Sequence, residues 1–388
     1  MISVSGEAVG LGLPDGARPT RALVDLEAIA SNFRLLGELA GGRPVYAVLK
    51  ADAYGHGALP VARRLAREGA DRFAVAMAEE GVALRRGGIA GEILVLFTGD
   101  ASEIPLHRSY GLVPALHGLE QAREFAEVSA GYPEPLAVHL ELDTGMTRLG
   151  VAPDEISAVA GVLRGAGGLR VSGLFTQLAR AEDPAASPTR AQVEILRAGM
   201  AALRSAGVDF GVVHAANSGA LLRHPDTLFD AVRPGIALYG VLPAESLPDP
   251  GLRPAMTVDT RVLSVRDVPR GAALGYGGTF VTSRPSRIAA LPIGYDDGLR
   301  RSFSGRASVL LRGKRVPIVG MVNMDLTLID ATDAGAERGD RAVLLGRSGS
   351  EEIGAWELAR AADTIPYEIL CGVGARVPRV YSGDGPAA

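Results

Sequence analysis

Val45-Tyr-Ala-Val-Leu-Lys-Ala-Asp-Ala-Tyr-Gly-His-Gly57 joins an apolar, β-prone run to a polar, glycine-containing turn that begins at Lys50. A strand buried on both faces has no structural use for an ammonium group at its end, because a buried charge is costly unless paired or neutralised. A lysine held there loses its proton more readily and becomes a nucleophilic amine able to form a Schiff base. The alternative is an ordinary lysine snorkelling to solvent. Tyr54, four residues on, falls in the loop above it.

Outward from this segment, β-prone runs alternate with longer amphipathic ones from about residue 20 to 250. The runs are Arg21–Leu26, Val45–Lys50, Arg72–Met77, Ile93–Phe97, Leu112–Leu116, Ala137–Leu142, Val171–Thr176 and Val212–Ala216, with a further candidate at Leu228–Val232. Helix-like stretches lie between them, among them Leu26–Leu39, Gly57–Glu68, Ala78–Arg86 and Thr189–Ala206. About eight such βα units predict a parallel sheet closed into a (β/α)8 barrel of the TIM type, whose strand ends carry the chemistry. A doubly wound sheet is the second option, but the glycine fingerprint expected after its first strand is missing, and GLGLPDG near the N-terminus has the wrong spacing.

After about residue 252 short strand-like runs follow one another: Val258–Val268, Arg287–Ile293, Ala307–Leu311, Arg315–Val319, Leu326–Asp330 and Arg341–Leu345, with one helix at Gly354–Ala362. They predict a mostly antiparallel C-terminal β domain. The expected division is an N-terminal extension over 1–17, a barrel over 18–250 and the β domain over 251–388, joined through the Pro/Gly-rich segment Leu242–Pro254.

A chain of 388 residues exceeds one ordinary core. Forty Lys+Arg against 44 Asp+Glu leave a net charge of −4 and no basic stripe for nucleic acid. The single cysteine, Cys371, rules out an intrachain disulfide framework and suits a reducing compartment. The N-terminal stretch lacks the basic and apolar regions of a signal peptide, and no apolar run is long enough to span a bilayer, so a cytoplasmic protein is expected. His56, His107, His117, His139, His214 and His224 show no paired ligand spacing, so no metal is expected.

Other strand ends carry polar groups. Val213-His-Ala-Ala-Asn-Ser-Gly219 offers Asn217, Ser218 and neighbouring amides as an anion nest ahead of a helix, and Val232-Arg-Pro-Gly-Ile-Ala-Leu-Tyr-Gly240 offers a second turn of amides at Gly235. Each alone reads equally as a helix cap or a turn. Together with a reactive lysine they imply a phosphorylated cofactor working through an aldehyde, which pyridoxal phosphate fits. In His139-Leu-Glu-Leu-Asp-Thr-Gly-Met-Thr-Arg-Leu-Gly150, Arg148 is a candidate clamp for a substrate carboxylate, or a partner of Glu141 or Asp143. Leu274-Gly-Tyr-Gly-Gly278 presents a tyrosine between glycines, a setting suited to proton transfer.

The segments VYAVLKADAYGHG, HLELDTGMTRLG, HAANSGAL, RPGIALYG, GYGGTF, LPIGYDDGL, VPIVGMVNMD and IPYEILCGVGARVPRVY stand in the order found in pyridoxal-phosphate-dependent alanine racemases, which the chain resembles over about residues 18 to 382. The resemblance implies a fold-type III enzyme, a homodimer with shared active sites and an amino-acid substrate. It implies Lys50 as Schiff-base lysine and one proton-transfer group, with Tyr276 from the partner subunit as the other. It implies Arg233 on the pyridine nitrogen, supported by His214, and Tyr54, Asn217, Ser218, Gly235, Ile236 and Tyr367 around the phosphate. Arg148 and the amide of Met324 match substrate-carboxylate contacts, Tyr295 an entrance tyrosine, and Asp325 lies in the same turn as Met324. The implied task is interconversion of L- and D-alanine, supplying D-alanine for the cell wall.

Several positions depart from the family pattern. Glu141 stands where many members carry a carbamylated lysine, and is expected to offer Arg148 a shorter carboxylate. Gln177 replaces a histidine that links the catalytic tyrosine to the arginine, and it cannot titrate near neutrality. Asn323 and Met321 replace a cysteine or serine and an arginine of the entrance corridor, so a racemase of broader specificity is an alternative. Two more distant ones are a barrel-type decarboxylase, against which Arg233 stands, and a non-catalytic pyridoxal-phosphate carrier, against which the β domain stands.

Overall fold

The structure is a computed structural model that describes residues 18–185 and 187–383, so the extension expected over residues 1–17 lies outside the described residues. Its first strand, β1 (Arg21–Asp25), alternates half-buried and buried side chains, the pattern of a strand with one covered face. The alternation of the sequence puts this run at the head of the barrel. It belongs instead to the C-terminal sheet, where one-sided burial is satisfied; strands of a parallel barrel are covered on both faces.

The chain divides into two units, one of Ile29–Ala53 and Ala58–Arg253, the other taking residues up to Ala28, Tyr54–Gly57 and the chain from Pro254. In the first unit β2 (Ala47–Val48), β3 (Arg72–Val75), β4 (Glu92–Val95), β5 (Val113–Leu116), β6 (Leu136–Glu141), β7 (Leu169–Phe175) and β8 (Val212–His214) lie side by side in sequence order. Every neighbouring pair is parallel. Ala231 bridges His214 of β8 and Val232 bridges Val45, both parallel, so residues 231–232 hold the eighth place and close the ring. These strands are buried almost throughout, as in β5, and the helices between them bury one stripe, as Val61, Ala62 and Leu65 do in Ala58–Arg67. That is the predicted (β/α)8 barrel, with its eighth strand reduced to two bridges.

The second unit contains a sheet of antiparallel neighbours with one parallel pair. Its strands are β9 (Met256–Arg261), β10 (Ser264–Val268), β13 (Ser286–Leu291), β14 (Ser308–Leu311), β15 (Lys314–Val319), β16 (Thr327–Asp330), β17 (Arg341–Ser348), β18 (Glu351–Ile353) and β19 (Arg379–Ser382), besides β1. A separate hairpin pairs β11 (Ala273–Leu274) with β12 (Phe280–Val281). The run Val258–Val268, expected as one strand, is two: β9 pairs with β1 and β17, and β10 with β13. A second helix, Pro366–Cys371, follows Ala355–Ala362 where one helix was expected; Pro366 stands in its first turn, where a missing N–H costs nothing. Among the described residues no helix is long and apolar enough to cross a membrane.

Candidate functional site

Lys50 leaves the barrel at the C-terminal end of β2, where the Leu49 amide donates to Ala74 O at 2.8 Å and the Val48 amide to Pro234 O at 3.3 Å. The next four residues turn the wrong way for L-amino acids: Ala51, Asp52, Ala53 and Tyr54 have φ of 52°, 53°, 54° and 54°. A left-handed turn costs about 1–2 kcal/mol per non-glycine residue, so the surroundings must hold it. Two carboxylates do so: Glu80 accepts from the Ala51 amide at 2.7 Å, and the turn's own Asp52 accepts from the Ala58 amide at 2.7 Å. Lys50 Nζ lies 5.4 Å from the centroid of Phe97, and the Arg148 guanidinium 5.3 Å from the same ring. The fold thus gathers the candidate nucleophile and the candidate carboxylate clamp on one aromatic. Phe97 was missed as a site residue; its signal is an aromatic two residues past the end of a buried barrel strand.

Arg148 sits on a loop organised by Asp143, whose Oδ1 accepts from the amides of Gly145, Met146 and Thr147 at 2.9, 3.1 and 3.0 Å. Gly150 is required where this loop closes, because a Cβ there would stand 2.6 Å from the Asp143 nitrogen. Glu141 does not serve Arg148 as expected. Its Oε2 lies 2.8 Å from Nδ1 of His117 at the neighbouring strand end, and no Arg148–Glu141 ion pair occurs among the described residues. The physical reason is reach: a buried glutamate arm meets the adjacent imidazole first.

Arg233 is buried, and its hydrogen-bond partners are all neutral. Nη1 donates to His214 Nδ1 at 2.5 Å and His214 O at 2.9 Å. Nη2 donates to Thr176 O at 2.8 Å and reaches Gln177 Oε1 at 3.4 Å. Burial pulls the guanidinium down to about 10, against the opposing pull of Glu141 and Tyr46. His214 stacks on Phe175 at 5.1 Å, and burial followed by the Arg233 charge keeps it neutral, well below the usual imidazole range. Gln177 is therefore next to Arg233. Its loop is held by Gln192, which donates to Gln177 O at 3.1 Å and Thr144 Oγ1 at 3.0 Å and accepts from the Ala179 amide at 2.9 Å.

The two anion-nest loops meet at Ser218, whose hydroxyl accepts from the Gly235 amide at 2.9 Å and the Ala237 amide at 3.4 Å. Asn217 caps the helix Ser218–Arg223 by accepting from the Ala220 amide at 3.0 Å. Ile236 opens the short helical turn Ile236–Tyr239, so its amide has no acceptor within that turn. The Ser218 hydroxyl proton and the Ile236 amide are the donors here suited to a phosphate.

In the second unit Tyr54 is 6.0 Å from Tyr367, ring to ring, and burial pushes its phenol well above the usual range. Tyr276 tips the β11–β12 hairpin, 76% exposed, between Gly275 and Gly277 at φ of 68° and 72°. It borders a cavity of about 500 Å³ shared with Tyr295, Met321, Asn323, Met324 and Asp325. The Met324 turn is gripped by Arg376, which donates to Asp325 at 2.7 Å, to Asp297 at 2.7 Å and to Met324 O at 3.3 Å. Nothing in the local sequence Gly374-Ala-Arg-Val-Pro378 marks Arg376 as the residue that grips this turn.

Two family models cover most of the chain: "Alanine racemase, N-terminal domain" over residues 24–243 and "Alanine racemase, C-terminal domain" over residues 255–381. An alanine racemase of Symbiobacterium thermophilum is 44% identical over 372 residues, 95% of this chain and 99% of that protein. Among solved structures, alanine racemase from Bacillus anthracis with bound L-Ala-P superposes with a TM-score of 0.91 at 35% identity, covering 96% of this chain and 97% of the other. Alanine racemase from Streptomyces lavendulae gives 0.91 at 35%, covering 96% and 99%.

Proposed function

Because the chain belongs to the alanine racemase family, we propose that it interconverts L-alanine and D-alanine with pyridoxal 5'-phosphate as cofactor. The observation that carries this reading is a strand-end lysine in the same barrel as a buried arginine whose hydrogen-bond partners include no carboxylate. When bound, pyridoxal phosphate supplies an aldehyde for attachment and a conjugated ring that draws electrons from the substrate Cα. Lys50 anchors it and holds or takes a proton at Nζ on one face. Tyr276 of a second copy does the same at its hydroxyl on the other face, so a proton leaves one side and returns on the opposite one. Arg233 would donate to the ring nitrogen without protonating it, unlike an acidic residue, which would favour return of the proton to Cα.

Asn217, Ser218, Gly235 and Ile236 are assigned to the phosphate with Tyr54 and Tyr367, and His214 to the support of Arg233. Arg148 and the Met324 amide of the second copy are assigned to the substrate carboxylate; Gln177 is assigned to the support of Arg233, and Glu141, paired with His117, to the support of the barrel wall. Tyr295 and Asp325 are assigned to the entrance. The proposed setting is a cytoplasmic homodimer that provides D-alanine for peptidoglycan. Met321 and Asn323 in the cavity wall favour a second reading, a racemase admitting side chains larger than methyl.

Incubation with L-alanine in deuterated water tests the assignment. Loss of optical rotation with deuterium at Cα is expected; release of carbon dioxide, or no reaction by cofactor-loaded protein, would overturn it. A panel of L-amino acids separates the narrow reading from the broad one.

A further inference from the structure

The contact between Arg233 and His214 does not end at His214. His214 Nε2 lies 2.9 Å from His139 Nδ1, and His139 Nε2 lies 3.6 Å from Glu92 Oε1. The Tyr46 hydroxyl donates to the same Glu92 oxygen. The run crosses β8, β6 and β4 to Tyr46, the residue before β2, from the loop that carries Arg233 to the opposite end of the barrel strands, where Glu92 is the first residue of β4.

From Arg233 to His139 the direction of each donor is forced. A guanidinium cannot accept, so His214 Nδ1 must be the bare nitrogen and its proton sits on Nε2. That proton needs an acceptor in a dry interior, and His139 Nδ1 is the one in reach. His139 then carries its own proton on Nε2, which makes no hydrogen bond but lies 3.6 Å from the Glu92 carboxylate that Tyr46 secures, so Glu92 acts on it through its charge. Burial holds both imidazoles neutral, His139 at about 3, so neither breaks the order by ionising.

A separate feature shows that the place of His139 is built. Its partner in the β6–β7 register is Gly173, and a Cβ on Gly173 would stand 2.4 Å from His139 Cε1 and Nε2. Only a glycine lets the imidazole lie across β7.

We infer that His139 and Glu92 are positioning residues that act through His214, polarising it toward Arg233 and so holding the guanidinium at the ring-nitrogen site. This rests on the racemase reading. The Glu92 charge at one end and the Arg233 cation at the other polarise the two hydrogen bonds between Arg233, His214 and His139.

The test uses holoenzyme with ¹⁵N-labelled histidine. His214 and His139 should both be neutral Nε2–H tautomers throughout pH 5–9. In His139→Leu, kcat should fall about tenfold with KM little changed, and more turnovers should end in keto acid, the amino group staying on the cofactor. His139→Asn, which returns an acceptor near the lost Nδ1, should recover most of the rate. Glu92→Gln keeps the shape but removes the charge at a half-buried site, and should give a mixed His139 tautomer signal even if His139→Leu fails to fold. Gly173→Ala should reproduce the His139→Leu phenotype with the imidazole still present. An Nδ1–H tautomer at His214, or wild-type rate and keto-acid share in His139→Leu, would overturn the inference. Wild-type protein that does not racemise alanine would sink the functional reading alone, because the tautomer spectra still decide the chain of donors.

Discussion

At Gln177 the side chain presents an amide oxygen to Arg233 at 3.4 Å and has no proton to gain or lose near neutrality. A histidine in its place would titrate beside a buried guanidinium, whose charge favours the neutral ring. Gln177→His is therefore expected to introduce a new inflection below pH 6.5 in the kcat profile, read from initial rates between pH 5 and 9. Superimposable profiles would show that the position does not tune the proton-transfer tyrosine. The residues around Arg233 were legible through the resemblance to the family, since Arg233, His214 and Gln177 taken singly read as well as parts of caps and turns. The Glu141–His117 pair was not, since which of two neighbours a buried carboxylate meets depends on ångström-scale reach across strands.

Among the elements, the left-handed turn after Lys50 combines strain with position. Its four residues keep Cβ atoms in a region that disfavours them, so removing one should relieve strain. Ala51→Gly, at an exposed site of the turn, is expected to raise unfolding stability by about 1 kcal/mol, measured from the urea midpoint. A loss of stability would mean that the turn is held by contacts of the Ala51 methyl. The handedness was hidden in the sequence: Ala-Asp-Ala-Tyr states no such preference, and only Gly55 and Gly57, at φ of 81° and 93°, hint at an unusual path. The β11–β12 hairpin was easier to read, since Gly275, Gly277 and Gly278 supply the positive φ that lifts Tyr276 outward.

For the whole molecule, the exposure of Tyr276, Met324 and Tyr295 around one cavity is the property to explain. Exposed aromatics bordering a cavity suit a surface that another chain covers. If a second copy completes the site, mixing Lys50→Ala with Tyr276→Phe should restore about a quarter of wild-type activity: half the dimers are mixed, and each has one intact site. No recovery after mixing and re-equilibration would place both residues in one subunit's site. Acid stability follows from the buried imidazoles. His107 and His139 are pushed by burial from 6.5 to about 4 and about 3, so below pH 6.5 the unfolded chain binds protons that the native one refuses. Their contribution is complete above pH 6.5 and declines as pH falls toward 4, by up to about 1.4 kcal/mol per unit for each. The urea midpoint should drop over that window, and less steeply in His107→Leu.

By itself the sequence determined the βα alternation, the antiparallel C-terminal strands, the strand-end lysine and the glycine-flanked tyrosine, because periodicity and local polarity are written residue by residue. Tertiary structure alone decided that β1 joins the C-terminal sheet, that residues 231–232 close the barrel, and that Glu141 turns to His117. It also decided that two histidines and a glutamate line up behind Arg233. Such outcomes depend on pairing and burial between residues far apart in the chain, and local preference does not encode them.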